Sequence, residues 1–553
     1  MIRREEQGPG HMASGLVADN TDTSTIEVAG QKNHQEGSNE SETRKIAEDQ
    51  DVEVQRTPTN SSEPVYSAFT RREKIFIAVM ASLGSFFSPF TGSVYLPAIN
   101  TLADHYHTSV SNINLSVTTY MILQGTAPMF TGDFGDRFGR RPAIVLCFVI
   151  YLGANIGLGV QNSYAALLAV RCLQSAGSSG TVALARGVIA DVVTPAERGS
   201  YLGFTMAGVS LAPAIAPIIG GALADSLGWR SIFWFLTIFT ACFLLPYICF
   251  MPETNRKIVG DGSIRPTKWY HVSLMDVLRS RQESNETAAS TQNALPKSKV
   301  KWYSLGGPWR TIKLFGEFDI ILISIANAFN FGALYCLLTS NPAIFGSLYG
   351  FDDFKVGLCY LPLGAGCSVA GFVNGKLLDW NWRRTAKKNN LPYDRKRAPD
   401  LRNFPVEKAR LQTLFPTLAP GLLALLPYGW ALQYGAPLPV PLILQFFCGY
   451  SLTSASNTTQ NLTVDLFPGM AATVSANNNL SRCLFGAGCA AVIKPMLDNM
   501  GWGWCFTFIT IICATQFPLM WFEIRCGPKW REERRQREER KQKDKQAKKE
   551  LKK

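Results

Sequence analysis

Residues 132–142 read GDFGDRFGRRP, two aspartates and three arginines set between two apolar runs. Aspartate and arginine one helical turn apart can pair across a helix end, and the planar guanidinium fork grips a carboxylate at two points. Pairs of this kind close a joint reversibly. Two further arginines, Arg171 in RCLQSAG and Arg482 in NNNLSRCLFGAG, lie inside apolar runs. A charge in lipid costs at least ~2.5–3.5 kcal/mol, so it normally faces a cavity and serves function. Both are candidates to bind an anionic group, with Gln174, Asn330, Asn457, Gln460 and Asn479 as hydrogen-bonding partners. The structural alternative has Arg171 ordering nearby carbonyls, Arg482 snorkelling and the amides bridging helices.

No nucleophile–base pair, phosphate loop or metal-spaced cluster stands out, so neither an enzyme nor a cofactor or metal site is expected. The thirteen cysteines fall almost all in apolar runs, where cysteine behaves as a small hydrophobe. The five histidines, at positions 11, 34, 105, 107 and 271, lie outside the apolar runs. Acids occur only near run ends: Asp191, Glu317, Asp319, Asp379, Asp465 and Glu523. Arginine does not deprotonate, so a coupling proton would ride on a helix-end acid such as Asp191 or on the substrate itself. The third route is uniport, in which an anion leaves a negative-inside cell with ~2.3 kcal/mol per charge per 100 mV in its favour.

The elements that hold these residues are long and apolar. Windows nearly free of charge cover 75–99, 113–131, 142–170, 201–224 and 231–251, then 320–351, 356–375, 411–462, 470–493 and 501–522. Each is about 20 residues or a small multiple, the length that spans a hydrocarbon layer. The expected fold is an all-α membrane protein of twelve transmembrane helices in two six-helix halves. The domains are a disordered tail over 1–72, a bundle over 73–251, a polar linker over 252–316, a second bundle over 317–524 and a basic tail over 525–553. Lys and Arg gather on one side: 11 in 252–313, 10 in 379–410 and 14 from residue 525 onward. By the positive-inside rule that side is cytoplasmic and holds both termini. The basic tail serves topology, a partner or anionic lipid.

The opening pattern repeats. Gly132, Asp136, Arg140 and Arg141 are matched at identical spacing by Gly375, Asp379, Arg383 and Arg384, and Asp191 has a weaker echo in Asp465. Repeated halves typify secondary transporters, with a substrate path between them. Asp133, Asp136, Arg137, Arg140, Asp191 and Asp379 are the candidate gating residues. Pro217, Gly220 and Gly221 would kink a helix and flatten its face. Tyr95 belongs to an outer vestibule or to an interfacial aromatic belt.

GDFGDRFGRR resembles the loop signature of the major facilitator superfamily, RCLQSAG its fourth-helix motif and APIIGG the Pro-Gly motif of its antiporters. GWRSIFWFL and PETNRKIVGDGS are similar to fungal members of the twelve-helix drug:proton antiporter family, of the quinidine-resistance and dityrosine-exporter type that includes citrate exporters. The resemblance covers about residues 70 to 530. It implies a plasma-membrane efflux transporter working by alternating access and proton antiport. In that family an acid of the fourth helix joins the loop network, a place taken here by Asp191. The cargo would be a small organic molecule, and the arginines tilt it toward a carboxylate. Lipid, cargo and protons are the expected partners of a monomer, with no nucleic acid. The rivals are a voltage-driven organic-acid exporter and a non-conducting sensor.

Overall fold

The computed structural model describes residues 67–193, 195–264, 266, 268–274, 306–389, 404–467 and 470–550. Most of the N-terminal tail, most of the central linker and the 390–403 stretch lie outside the described residues. Among the described residues all regular structure is helical. In the first half α1 (Arg71–Val94) runs on through a 3-10 turn into Ile99–His105, followed by α2 (Val110–Phe138), α3 (Arg140–Val160), α4 (Tyr164–Val192), α5 (Pro195–Leu227) and α6 (Arg230–Phe250). The second half has α7 (Phe318–Tyr349), α8 (Leu361–Lys388) led by Asp353–Cys359, α9 (Leu414–Gln433) led by Val406–Leu411, α10 (Pro439–Leu466), α11 (Ala471–Met500) and α12 (Gln516–Glu550) led by Trp502–Ala514.

The sequence repeat reappears as a packing repeat. In the first half α1 packs on α4 and α5, α2 on α4, and α3 on α4 and α6. In the second half α7 packs on α10 and α11, α8 on α10, and α9 on α10 and Trp502–Ala514. Adding six to each helix number of the first set yields the second. Two seams, α2 on α11 and α5 on α8, join the halves and obey the same relation.

Among the described residues, eight of these rods are long and apolar enough to cross a membrane. The outer ones, α3, α6, α9 and Trp502–Ala514, expose large hydrophobes such as Leu146, Val149, Ile238, Leu245, Leu423 and Ile511. In water such a belt would drive aggregation; against lipid it is the solvated face. The less apolar helices α2, α4 and α10 contribute to a seam or pack among several neighbours. Shelter from lipid frees them to carry serine, threonine and amides.

Two expected boundaries shift. Residues 252–255 are buried against the first half, so the linker begins as part of that bundle. The boundary expected at 524 falls inside α12, whose C-terminal extension is continuous with its last turns.

Candidate functional site: a charged joint and a cationic interior

At the end of α2 the backbone breaks at Gly139, whose φ of +110° disfavours any side chain. A Cβ there would also strike Glu253 Oε2 and lie 2.7 Å from His271 Cε1. The break sets Arg140 at the start of α3. Its side chain meets Asp136 at 2.6 Å and Asp191 at 2.9 Å, while Arg137 meets Asp133 at 2.7 Å. Five of the six candidate gating residues thus assemble within one half.

Glu253 organises this joint, and sequence reasoning missed it inside PETNRK. Its carboxylate is buried and accepts from the backbone N–H groups of Arg140 (2.8 Å), Arg141 (3.3 Å), Thr254 (3.0 Å) and Asn255 (2.9 Å). A carboxylate at a helix N-terminus satisfies orphan donors and favours the dipole of α3. The Asn255 side chain donates to the Gly135 carbonyl at 2.9 Å, and Arg256 donates to the Asp191 carbonyl at 2.8 Å. The signal available in sequence was an acid directly after a helix-ending Met-Pro.

The second joint departs from the sequence repeat. Asp465 pairs with Arg410 at 2.8 Å, and Arg410 stacks over Trp382. Arg383 and Arg384 stay on α8, which continues unbroken to Lys388. Asp379 is exposed and joins no ion pair among the described residues. Without a break like Gly139, the matching guanidinium comes from Arg410, at the foot of α9. The two halves are equivalent in space where they are not in spacing.

We expect Arg140 and Asp191 to be energetically coupled by about 0.5–3 kcal/mol, as close ion pairs within a network are. Thermal unfolding of Arg140→Gln, Asp191→Asn and the double variant checks this; additive losses contradict it.

Arg171 is fully buried between the rings of Tyr95 and Tyr120, 4.2 and 4.6 Å from their centroids. Cation–π contact of a desolvated guanidinium is worth about 2 kcal/mol, and Tyr95 supplies it instead of lining a vestibule. Arg171 donates to Gln174 at 2.7 Å, and Gln174 to Asn155 at 2.6 Å, while the Arg171 Nε and Nη2 donors find no acceptor among the described residues. The second half uses a neutral triad, Asn341, Tyr428 and Gln445, on its corresponding helices.

Arg482 is half-buried on α11, beside the α2 seam. Asn479 accepts from its Nη2 at 2.9 Å and donates to the Gln124 carbonyl of α2 at 2.8 Å. The Phe331 ring lies 4.6 Å from the guanidinium, and Arg186 of α4 is near enough for the two charges to repel. Neither Arg171 nor Arg482 pairs with a carboxylate among the described residues. Asn457 and Gln460 are half-buried on α10, without a side-chain hydrogen bond among the described residues. Asn330 is not with them: it is buried between α7 and α12, where it accepts from Gln516 at 2.9 Å.

At the face opposite the charged joints the halves touch. Asn100 donates to the Pro342 carbonyl at 2.7 Å, and Thr101 donates to Asp353. Pro217 lies in an uninterrupted α5, and a Cβ on Gly357 would sit 2.5 Å from its carbonyl oxygen. A Cβ on Gly221 would strike the Asp353 carbonyl, one on Gly364 the Ala214 backbone, and one on Gly220 the Val94 carbonyl of α1. Pro217, Gly220 and Gly221 therefore form a flat surface for close backbone approach, and the two halves meet at this face.

Comparison with known proteins agrees with this geometry. Residues 81–491 match the family model described as Major Facilitator Superfamily. The chain is similar to MFS-type transporter phiD of Fungal sp. (strain ATCC 74256), 42% identical over 88% of this chain and 73% of that one. It is similar to Citrate exporter 1 of Aspergillus niger, 34% identical over 86% of this chain and 90% of that one. Among solved structures, a D-xylose-proton symporter shares the fold with a TM-score of 0.55 at 15% identity, covering 81% of this chain and 97% of that one. With repeated halves, two seams, a charged joint in each half and this match over most of its length, the chain belongs to the Major Facilitator Superfamily and is a multi-pass membrane transporter.

Proposed function

We propose that this transporter exports a small carboxylate-bearing organic molecule across the plasma membrane by alternating access, in exchange for protons. The observation that carries the reading is the pair of deep guanidiniums, Arg171 and Arg482, held by amides and rings and left without a carboxylate. An anion near Arg482 would relieve its repulsion with Arg186 and gain charge-assisted hydrogen bonds. The name of the Aspergillus niger relative points to the same class of cargo. In this reading twelve crossings leave both termini on one side, and the Lys/Arg excess of that side makes it the cytoplasm, where the charged joints also lie. Asp133, Asp136, Arg137, Arg140 and Asp191 brace the cytoplasmic end of the first half, Arg410 and Asp465 the second. Half-buried Asn457 and Gln460 supply further hydrogen bonds to cargo.

Proteoliposome transport of carboxylates, neutral compounds and cations, with pH gradient and membrane potential imposed separately, tests this. Arg482→Ala should weaken carboxylate uptake about tenfold or more, the equivalent of losing a ~1.5–3 kcal/mol charged hydrogen bond. Unchanged flux in both Arg482→Ala and Arg171→Ala overturns the cargo assignment. Flux driven by potential alone replaces antiport with voltage-driven export.

A further inference from the structure

On the charged face of the second half, five ionisable side chains from three elements share one buried site. Asp319 opens α7, Glu407 lies on Val406–Leu411, and Glu523, Arg531 and Arg534 come from α12. Arg534 meets Asp319 at 2.6 Å and lies over the Phe467 ring at 3.9 Å. Arg531 Nε stands 3.4 Å from Glu407 Oε1, and its Nη2 donates to the Phe404 carbonyl at 3.0 Å. Glu407 and Glu523 are both fully buried with no hydrogen-bond donor on either oxygen among the described residues, but Glu407 has its ion pair with Arg531 and Glu523 has none there. A Cβ on Gly527 would lie 2.7 Å from Glu523 Oε1 and 3.0 Å from Glu407 Cγ, so the two acids flank one glycine. Further out, Arg537 pairs with Glu317 at 2.9 Å, and Arg410, one turn from Glu407, is turned to Asp465.

As ions, the five groups carry three negative charges against two positive. A buried, unpaired carboxylate costs several kcal/mol. One proton on Glu523 balances the site and gives that side chain a donor of its own. We propose that Glu523 is a proton-binding site whose occupancy holds the extension of α12 against the cytoplasmic end of the second half. Release of the proton adds a third negative charge, which competes with Asp319 for Arg534 and with Glu407 for Arg531. Both arginines ride on α12, so its extension loosens. Because Glu407 and Arg410 share one short helix, the change reaches the Arg410–Asp465 joint. Docking takes up a proton, so docking weakens as pH rises. The inference depends on neither the cargo nor the direction of transport, and it provides a titratable group that the deep arginines do not.

Infrared difference spectra of the full-length protein in lipid nanodiscs, recorded across a pH titration, test it independently of flux. The expected result is a protonated-carboxyl band that titrates in the wild type, is lost in Glu523→Gln and persists in Asp379→Asn. Hydrogen exchange of residues 527–540, corrected for the intrinsic effect of pH, gives the second readout. Protection should fall with rising pH in the wild type and stay high in Glu523→Gln and Glu523→Met, both of which keep a neutral side chain in place. A titrating band that survives in Glu523→Gln, or exchange whose pH dependence is unchanged in both variants, overturns the proposal.

Discussion

Glu253→Ala should destabilise the protein by about 3–5 kcal/mol, the range for removing one partner of a buried charged cluster. The loss is large because one carboxylate serves four backbone donors and sits 3.1 Å from His271 Nδ1. Without it the first N–H groups of α3 are left buried without an acceptor, and Arg140 loses the start of the helix that aims it at Asp136 and Asp191. A buried, unmade hydrogen bond costs about 1–3 kcal/mol, so the individual losses compound. Glu253→Gln keeps the shape but turns one acceptor into a donor facing donors, and should recover little. Thermal unfolding in detergent reads the effect; a Glu253→Ala protein as stable as the wild type would remove Glu253 from the joint.

Gly357→Val should abolish most turnover while leaving cargo binding in place. The glycine faces the Pro217 carbonyl across the α5 seam, with no room for a side chain. Overpacking costs typically 1–3 kcal/mol, and here the cost falls on one conformation, the one in which the two halves meet at the face opposite the joints. At 1.4 kcal/mol per tenfold, the ratio of closed to open states drops about 5- to 140-fold. Transport that cycles through that state slows with it. Turnover in proteoliposomes, together with labelling of a reporter cysteine on that face, separates a trapped transporter from an unfolded one. Full turnover in Gly357→Val would mean that closure at this seam is not part of the cycle.

The charged loop shows where linear reading stops. Asp136, Arg140 and Asp191 were legible because their contacts span a helix end and two neighbouring helices of one half. The second copy misled: identical spacing pointed to Asp379 and Arg383, but α8 continues past them and Arg410 takes the role. Among the deep polar residues, Arg171 and Arg482 announced themselves by their cost in lipid. Nothing in the sequence told Asn330, a bridge between helices, from Asn479, which links Arg482 to the opposite half.

The sequence alone determined that the chain is a membrane protein of repeated halves, because hydrophobic length, loop charge and spacing are properties of the chain itself. It also marked the charged loop and the two deep arginines, since a charge among apolar residues is visible without coordinates. Only the tertiary structure decided that Glu253 caps α3, that Tyr95 and Tyr120 enclose Arg171 and that Glu523 joins Asp319 and Glu407 in one buried site. Those groups lie up to about two hundred residues apart, and their energies depend on distance, burial and partner count, none of which chain order encodes.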